Sequence, residues 1–182
     1  MSTLKPPIGP EDHEQGTADA TLTLVEYGDY ECPYCGAAFF EIRKVQRHFG
    51  QRLRFVFRNF PLTQIHPNAE LAAETAEFAG AHKKFWEMHD LLYRNQNRLG
   101  LPLFGELATE LDLQPTELAE SLDTHKYLPR IRADFSGGVR SGVNGTPTFF
   151  INGNRYEDVP EFQAIIKALE SSARHHSRGA NA

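Results

Sequence analysis

Cys32 and Cys35 are the only cysteines among 182 residues, and they are spaced C-x-x-C. A disulfide across that spacing closes a very short loop. Chain-entropy stabilisation grows with loop length, so this bond would stabilise little, and the pair is better explained by its chemistry. Pro33 suits the first position of a helix, where its missing N–H has no intrahelical partner to lose. That makes Cys32 the cap residue. Unpaired N–H groups and the helix dipole favour an anion there, and a thiolate is the nucleophile of disulfide exchange. The expected arrangement is an exposed, attacking Cys32 and a resolving Cys35 one turn further in. The competing readings are a structural thiol pair or half of a zinc site. Eight histidines leave a Cys2His2 site arithmetically open. No H-x₃₋₅-H pair follows at finger-like spacing, however, and no metal site is expected.

Glu26 is the second candidate. Alternation along TLTLVEY puts Leu22, Leu24 and Glu26 on one strand face. A carboxylate in line with two leucines on a central strand is expected to be buried, to have a raised pKa and to exchange protons with a thiol. An edge glutamate facing solvent is the plainer alternative, since Glu is rarely buried without a partner.

These residues need elements to hold them. Thr21 to Tyr27 reads as a strand. Phe39, Ile42, Val45 and Phe49 then mark one helical face, and 52–58 reads as a second strand. A helix between two strands is a natural crossover, so the strands should be parallel. From Asn68 to about Ser141 every pattern is helical, punctuated by Gly80, Gly100, Pro102, Pro115 and Pro129. The β signal returns at Thr148 to Ile151 and Asn154 to Tyr156. Asn152-Gly153 between them marks a hairpin, and Pro160 opens a last helix. The expected division is a loose arm over 1–12, a core over 13–65 and 142–173, an inserted helical subdomain over 66–141 and a frayed tail over 174–182. The fold class is α/β. Arg52, Arg54 and Arg58 read as a solvated strand face. Tyr30, Tyr34 and Phe60 are candidates for flanking a peptide groove.

Composition excludes several functions. Asp and Glu outnumber Lys and Arg by 24 to 19, a net charge of −5. A nucleic-acid module would be strongly basic, so no nucleic-acid partner is expected. No stretch approaches the roughly 18 apolar residues of a membrane span, so no membrane insertion is expected. Glycines 137, 138, 142 and 145 lack the Gly-Lys-Ser/Thr ending of a phosphate loop. Residues 1–20 show no secretory signal. With Met1 as the natural start, the expected location is cytoplasmic, although a trimmed export signal would leave the same N-terminus.

LVEYGDYECPYC, the helical stretch, and then GVNGTPTFFINGNRY resemble the DsbA-like branch of the thioredoxin superfamily over residues 20–170. The resemblance implies a thioredoxin-like core carrying an inserted all-helical subdomain. It implies that Cys32 attacks and Cys35 resolves, and that Glu26 is the family's buried acid. It implies a cis Pro147 after Thr146, with the backbone there pairing with an extended substrate. Pro33, Tyr34, Thr146 and Pro147 are then substrate-binding residues. Protein or peptide disulfides are the substrates, together with a recycling redox partner. No cofactor is needed beyond the redox-active Cys32–Cys35 disulfide. Tyr34 cannot stabilise a thiolate by charge, and Glu31 and Asp29 would oppose one, so a milder oxidant is expected. In a reducing cytosol the reaction would run as reduction or isomerisation. A redox-sensing peptide-binding or chaperone-like module without turnover is the alternative.

Overall fold

Strand β2 (Leu22–Gly28) is the middle of a five-stranded sheet. In this computed structural model, which describes residues 2–179, the strand order is β1-β3-β2-β4-β5. The other strands are β1 (His13–Gln15), β3 (Leu53–Asn59), β4 (Thr148–Ile151) and β5 (Asn154–Tyr156). β2 and β3 are parallel, joined over α1 (Pro33–Phe49), while β1, β4 and β5 pair antiparallel. β4 and β5 turn through Asn152 and Gly153, with φ of 46° and 79°. Both loop residues thus take the left-handed conformation for which Asn-Gly is suited.

Helices α2 (Ala69–Ala81), α3 (Phe85–Arg94), α4 (Leu101–Glu110), α5 (Pro115–Asp123) and α6 (Leu128–Arg140) fill the interval between β3 and β4. Helix α7 (Phe162–Gly179) closes the described chain. Alternation along β2 divides the core. Leu22 and Leu24 pack with α1, α7 and the inserted helices, while Val25 and Tyr27 pack on the opposite face with Val56, Phe60 and Phe150. Glu26 therefore enters the larger core, at the centre of the sheet.

The N-terminal arm is not loose. Leu4 N–H donates to the Gly153 carbonyl at 2.9 Å, and Lys5 N–H to Ser141 Oγ at 2.8 Å. Leu4 and Ile8 cover the smaller core. Arg58, expected on a solvated face, is only 2% exposed and pairs with Asp12. Arg54 pairs with Glu14, and Arg52 lies 5.1 Å over the Phe49 ring. Arg52 is exposed as expected, whereas Arg54 is half-buried and Arg58 buried because the N-terminal segment folds back over them. Strand β1 had no sequence signal, being three polar residues long. The tail expected from 174 is helical as far as Gly179, and 180–182 lie outside the described residues.

Candidate active site

Helix α1 starts at the thiols. Cys32 caps it with φ −70° and ψ 120°, Pro33 follows at the first helical position, and Gly36 N–H closes the first turn on the Cys32 carbonyl at 3.1 Å. No side chain caps this end, so its amides remain available to the Cys32 sulfur. Both thiols are unbridged. Cys35 is 0% exposed, as its place one turn inside predicts. Cys32 is only 3% exposed, so the attacking sulfur is less open than expected. The reason is the strand entry opposite. The Cys32 thiol donates to the Thr146 carbonyl at 3.3 Å, and the Thr146–Pro147 bond is cis.

A hydrogen bond from Cys35 is the chief cause that brings the Cys32 pKa down, to about 5. Burial opposes it, and bonds from Thr146 and from the Cys35 and Tyr34 backbone amides add to it. The Thr146 hydroxyl is buried with no hydrogen-bond partner, which leaves it able to turn to the Cys32 sulfur. The stabilisation thus comes from hydrogen bonds rather than from a cation. Burial, the bond to Cys32 and the charges of Glu26 and Cys32 push the Cys35 thiol up, although the Asp29 N–H, 3.5 Å from its sulfur, works the other way. A depressed pKa means thiolate above about pH 5 and its loss below. At pH 7 that is about a hundredfold more thiolate than a thiol of pKa 9 would carry. Iodoacetamide labelling of Cys32 should therefore show a midpoint near pH 5. A midpoint above pH 8 would remove the activation.

The two flanking acids are turned to other partners, and neither is among the main causes that set the Cys32 pKa. Glu31 is held away by the Asn68 amide hydrogens, at 2.6 and 2.9 Å. Asp29 accepts from the Glu31 and Leu62 N–H groups and bonds the His66 ring at 2.7 Å. Glu26 is 2% exposed, and one of its carboxylate oxygens has no partner. Burial first, and the Cys32 charge second, raise its pKa to about 8.

Gln96 carried no sequence signal. It lies in a short 3-10 turn of the inserted helices, and its Nε2 donates to the Tyr30 and Cys32 carbonyls at 2.8 Å each. Gly36 makes room for it, since a Cβ there would lie 2.2 Å from Gln96 Oε1. His89 is buried in a ring of aromatics, and burial, then the charges of Arg43 and His13, lower its pKa to about 3. Burial thus favours its neutral form, and its Nδ1 bonds the Tyr30 hydroxyl at 3.0 Å. Tyr30 and Phe60 are core residues at 1% and 3% exposure, so they do not flank a groove.

Tyr34 does flank one. Its ring is 74% exposed at the edge of a cavity of about 490 Å³, lined also by Thr146, Pro147, Phe149 and Val159. Pro33 is exposed beside it but is not part of the lining. Among the described residues, the cluster of metal-ligand types is Glu70, Glu74 and His125, and neither cysteine belongs to it.

A thioredoxin family model matches residues 9–171. The chain is 42% identical over 170 residues to Na(+)/H(+) antiporter NhaA 1 of Salinispora arenicola, covering 93% of this chain and 26% of that protein. It is 37% identical over 172 residues to Na(+)/H(+) antiporter NhaA of Herminiimonas arsenicoxydans, covering 94% of this chain and 27% of that one. The chain thus spans about a quarter of the length of these curated relatives. Among solved structures, BdbD from Bacillus subtilis superposes with a TM-score of 0.86 at 24% identity, covering 95% of this chain and 98% of that one. Wolbachia pipientis alpha-DsbA1 superposes with a TM-score of 0.78 at 18% identity, covering 93% and 94%. The fold is the DsbA-like arrangement of a thioredoxin sheet with inserted helices.

Proposed function

Because this chain belongs to the thioredoxin family, we propose that it is a thiol–disulfide oxidoreductase that exchanges disulfides with protein substrates through Cys32 and Cys35. The observation that carries the reading is the asymmetry of the pair. Cys32 is acid-shifted at a helix N-terminus under the Thr146 carbonyl, and Cys35 is buried with its proton held. The Cys32 thiolate attacks one sulfur of a substrate disulfide. The S–S bond breaks, a mixed disulfide forms, and the first substrate thiolate leaves. Cys35 then loses its proton and attacks Cys32, which releases the second substrate thiolate and leaves the 32–35 disulfide. Two electrons have passed to the substrate, and the reverse sequence oxidises it. No group beyond the two sulfurs is required. A stabilised thiolate favours the dithiol, so the disulfide form is the one that readily passes its bond on.

The buried, unpartnered Glu26 supports a proton-accepting role in the second step. In the mixed disulfide Cys32 carries no charge, which removes the second cause of the raised Glu26 pKa. The Glu26 carboxyl then ionises more readily, so its carboxylate form is available to take the Cys35 proton, directly or through one water. The proposed function is tested by turnover of insulin disulfides and by equilibration of the pair against defined glutathione ratios. Absence of both exchange reactions overturns it. In Glu26→Gln, resolution of the mixed disulfide should slow by about a hundredfold, with the first attack little changed. Equal slowing of both steps would remove the proton role.

A further inference from the structure

The cavity beside Cys32 is apolar along its floor and acidic along its rim. The floor is built from Pro147 and Phe149, with Tyr34 and Val159 exposed at the edges by 74% and 59%. The rim carries four carboxylates, Glu41, Glu157, Asp158 and Glu161, against one guanidinium, Arg155. The charges are not equally free. Glu41 is bonded by Lys44 at 2.5 Å and by the Phe162 N–H at 3.2 Å. Arg155 is committed to the Gly142 carbonyl, to Asn144 at 3.3 Å and to Glu157 at 3.2 Å. Glu157, Asp158 and Glu161 are exposed, on the connection from β5 to α7. The cation on this wall is thus already engaged by Glu157, and the unbalanced negative charge of the shelf is that of Asp158 and Glu161.

We propose that the groove selects substrate segments carrying lysine or arginine next to the reacting cysteine, with Asp158 and Glu161 as the specificity-determining residues; this rests on the disulfide-exchange reading above.

Chemistry favours this occupant over a neutral or acidic peptide. Lysine and arginine have apolar stems that pack along Pro147, Phe149 and Val159 while their heads reach the rim. The exposed Tyr34 ring offers its face to a cation. An acidic peptide would meet the same shelf as like charge, a repulsion that suppresses wrong partners more than it strengthens right ones. The chain's net charge of −5 acts in the same direction during encounter. Recognition through exposed carboxylates also weakens as salt shortens the screening length.

The experiment uses three disulfide-bonded peptides, identical except for lysine, serine or glutamate at the positions flanking the cysteine. The rate constant of exchange with the full chain is divided by that of the same peptide with free glutathione, which removes the flanking charge's effect on the peptide thiol itself. The lysine peptide should exceed the glutamate peptide by about tenfold at low salt. In 0.5 M NaCl the ratio should fall towards one. In the double variant Asp158→Asn, Glu161→Gln it should fall towards one at low salt. Equal normalised rates in the unaltered protein, a ratio that salt does not change, or a ratio retained in the double variant would each overturn the proposal. Exchange with all three peptides at one rate sinks the charge selectivity alone. No exchange with any of them, the serine peptide included, sinks the underlying activity.

Discussion

Cys32→Ser should abolish disulfide turnover, by at least about a thousandfold, the scale on which loss of an essential nucleophile acts. A serine hydroxyl in the same place can accept the bonds that Cys35, Thr146 and the Tyr34 and Cys35 amides give to Cys32. It does not ionise near neutral pH and has no sulfur to share. Cys35→Ser should behave differently. The Cys35 bond is the largest cause of the lowered Cys32 pKa, and a serine hydroxyl can donate a bond of the same kind. Attack therefore continues, but no thiolate follows to resolve the product. A mixed disulfide should accumulate and be visible as a mass shift that dithiothreitol reverses. Full insulin reduction by Cys32→Ser sinks the assignment of roles. Peptide binding retained in the double serine variant, with no turnover in the unaltered protein, would favour the redox-sensing module instead.

What the sequence disclosed about this site was local. The C-x-x-C pair, the proline at the first helical position and the Asn-Gly turn are signals within a few residues, and each is set by backbone sterics or by the helix end. The strand-helix-strand order was equally legible, because periods of 2 and 3.6 are written into contiguous residues. The side of Glu26 was legible too. Its burial also depended on β2 lying between β3 and β4, which alternation alone does not state.

Contacts between distant residues were not legible. Gln96 reaches carbonyls 66 and 64 positions away, and a glutamine in a polar turn announces nothing. Glu31 and Asp29 misled for the opposite reason. They are adjacent to Cys32 in sequence, but Asn68, Leu62 and His66, all of them after β3, turn their carboxylates elsewhere. Proximity along the chain overstated proximity of charge.

Arg58 is the sharpest of these long-range cases, and it gives the second large expected effect. Its guanidinium donates to Asp12 at 2.7 and 2.9 Å, to the Pro6 and Pro7 carbonyls at 2.9 and 3.1 Å, and to the Tyr27 hydroxyl at 2.9 Å. The Arg58 and Asp12 side chains are 3% and 7% exposed. Removing one partner of a buried pair leaves the other charge uncompensated, so Arg58→Ala should cost about 3–5 kcal/mol at pH 7. That is a large part of the roughly 5–15 kcal/mol that holds a domain together. Burial by itself would raise the Asp12 pKa, but the Arg58 hydrogen bonds, the Gly9 N–H and nearby positive charge hold it below the usual carboxylate range. A depressed carboxylate contributes stability that is present above its unfolded pKa and is lost as pH falls through the folded value. The gap between the unaltered protein and Arg58→Ala should therefore shrink in acid, below about pH 4. Urea unfolding at pH 7 and pH 3 reads both quantities. A loss under about 1 kcal/mol at pH 7 would mean a solvated surface pair and an arm that does not fold back. The Cys32 labelling midpoint should stay near pH 5 in this variant, because none of the groups that lower its pKa belongs to the arm. Stability would then fall while the reactivity of the attacking thiol stayed, separating what holds the sheet's second face from what activates the sulfur on the first.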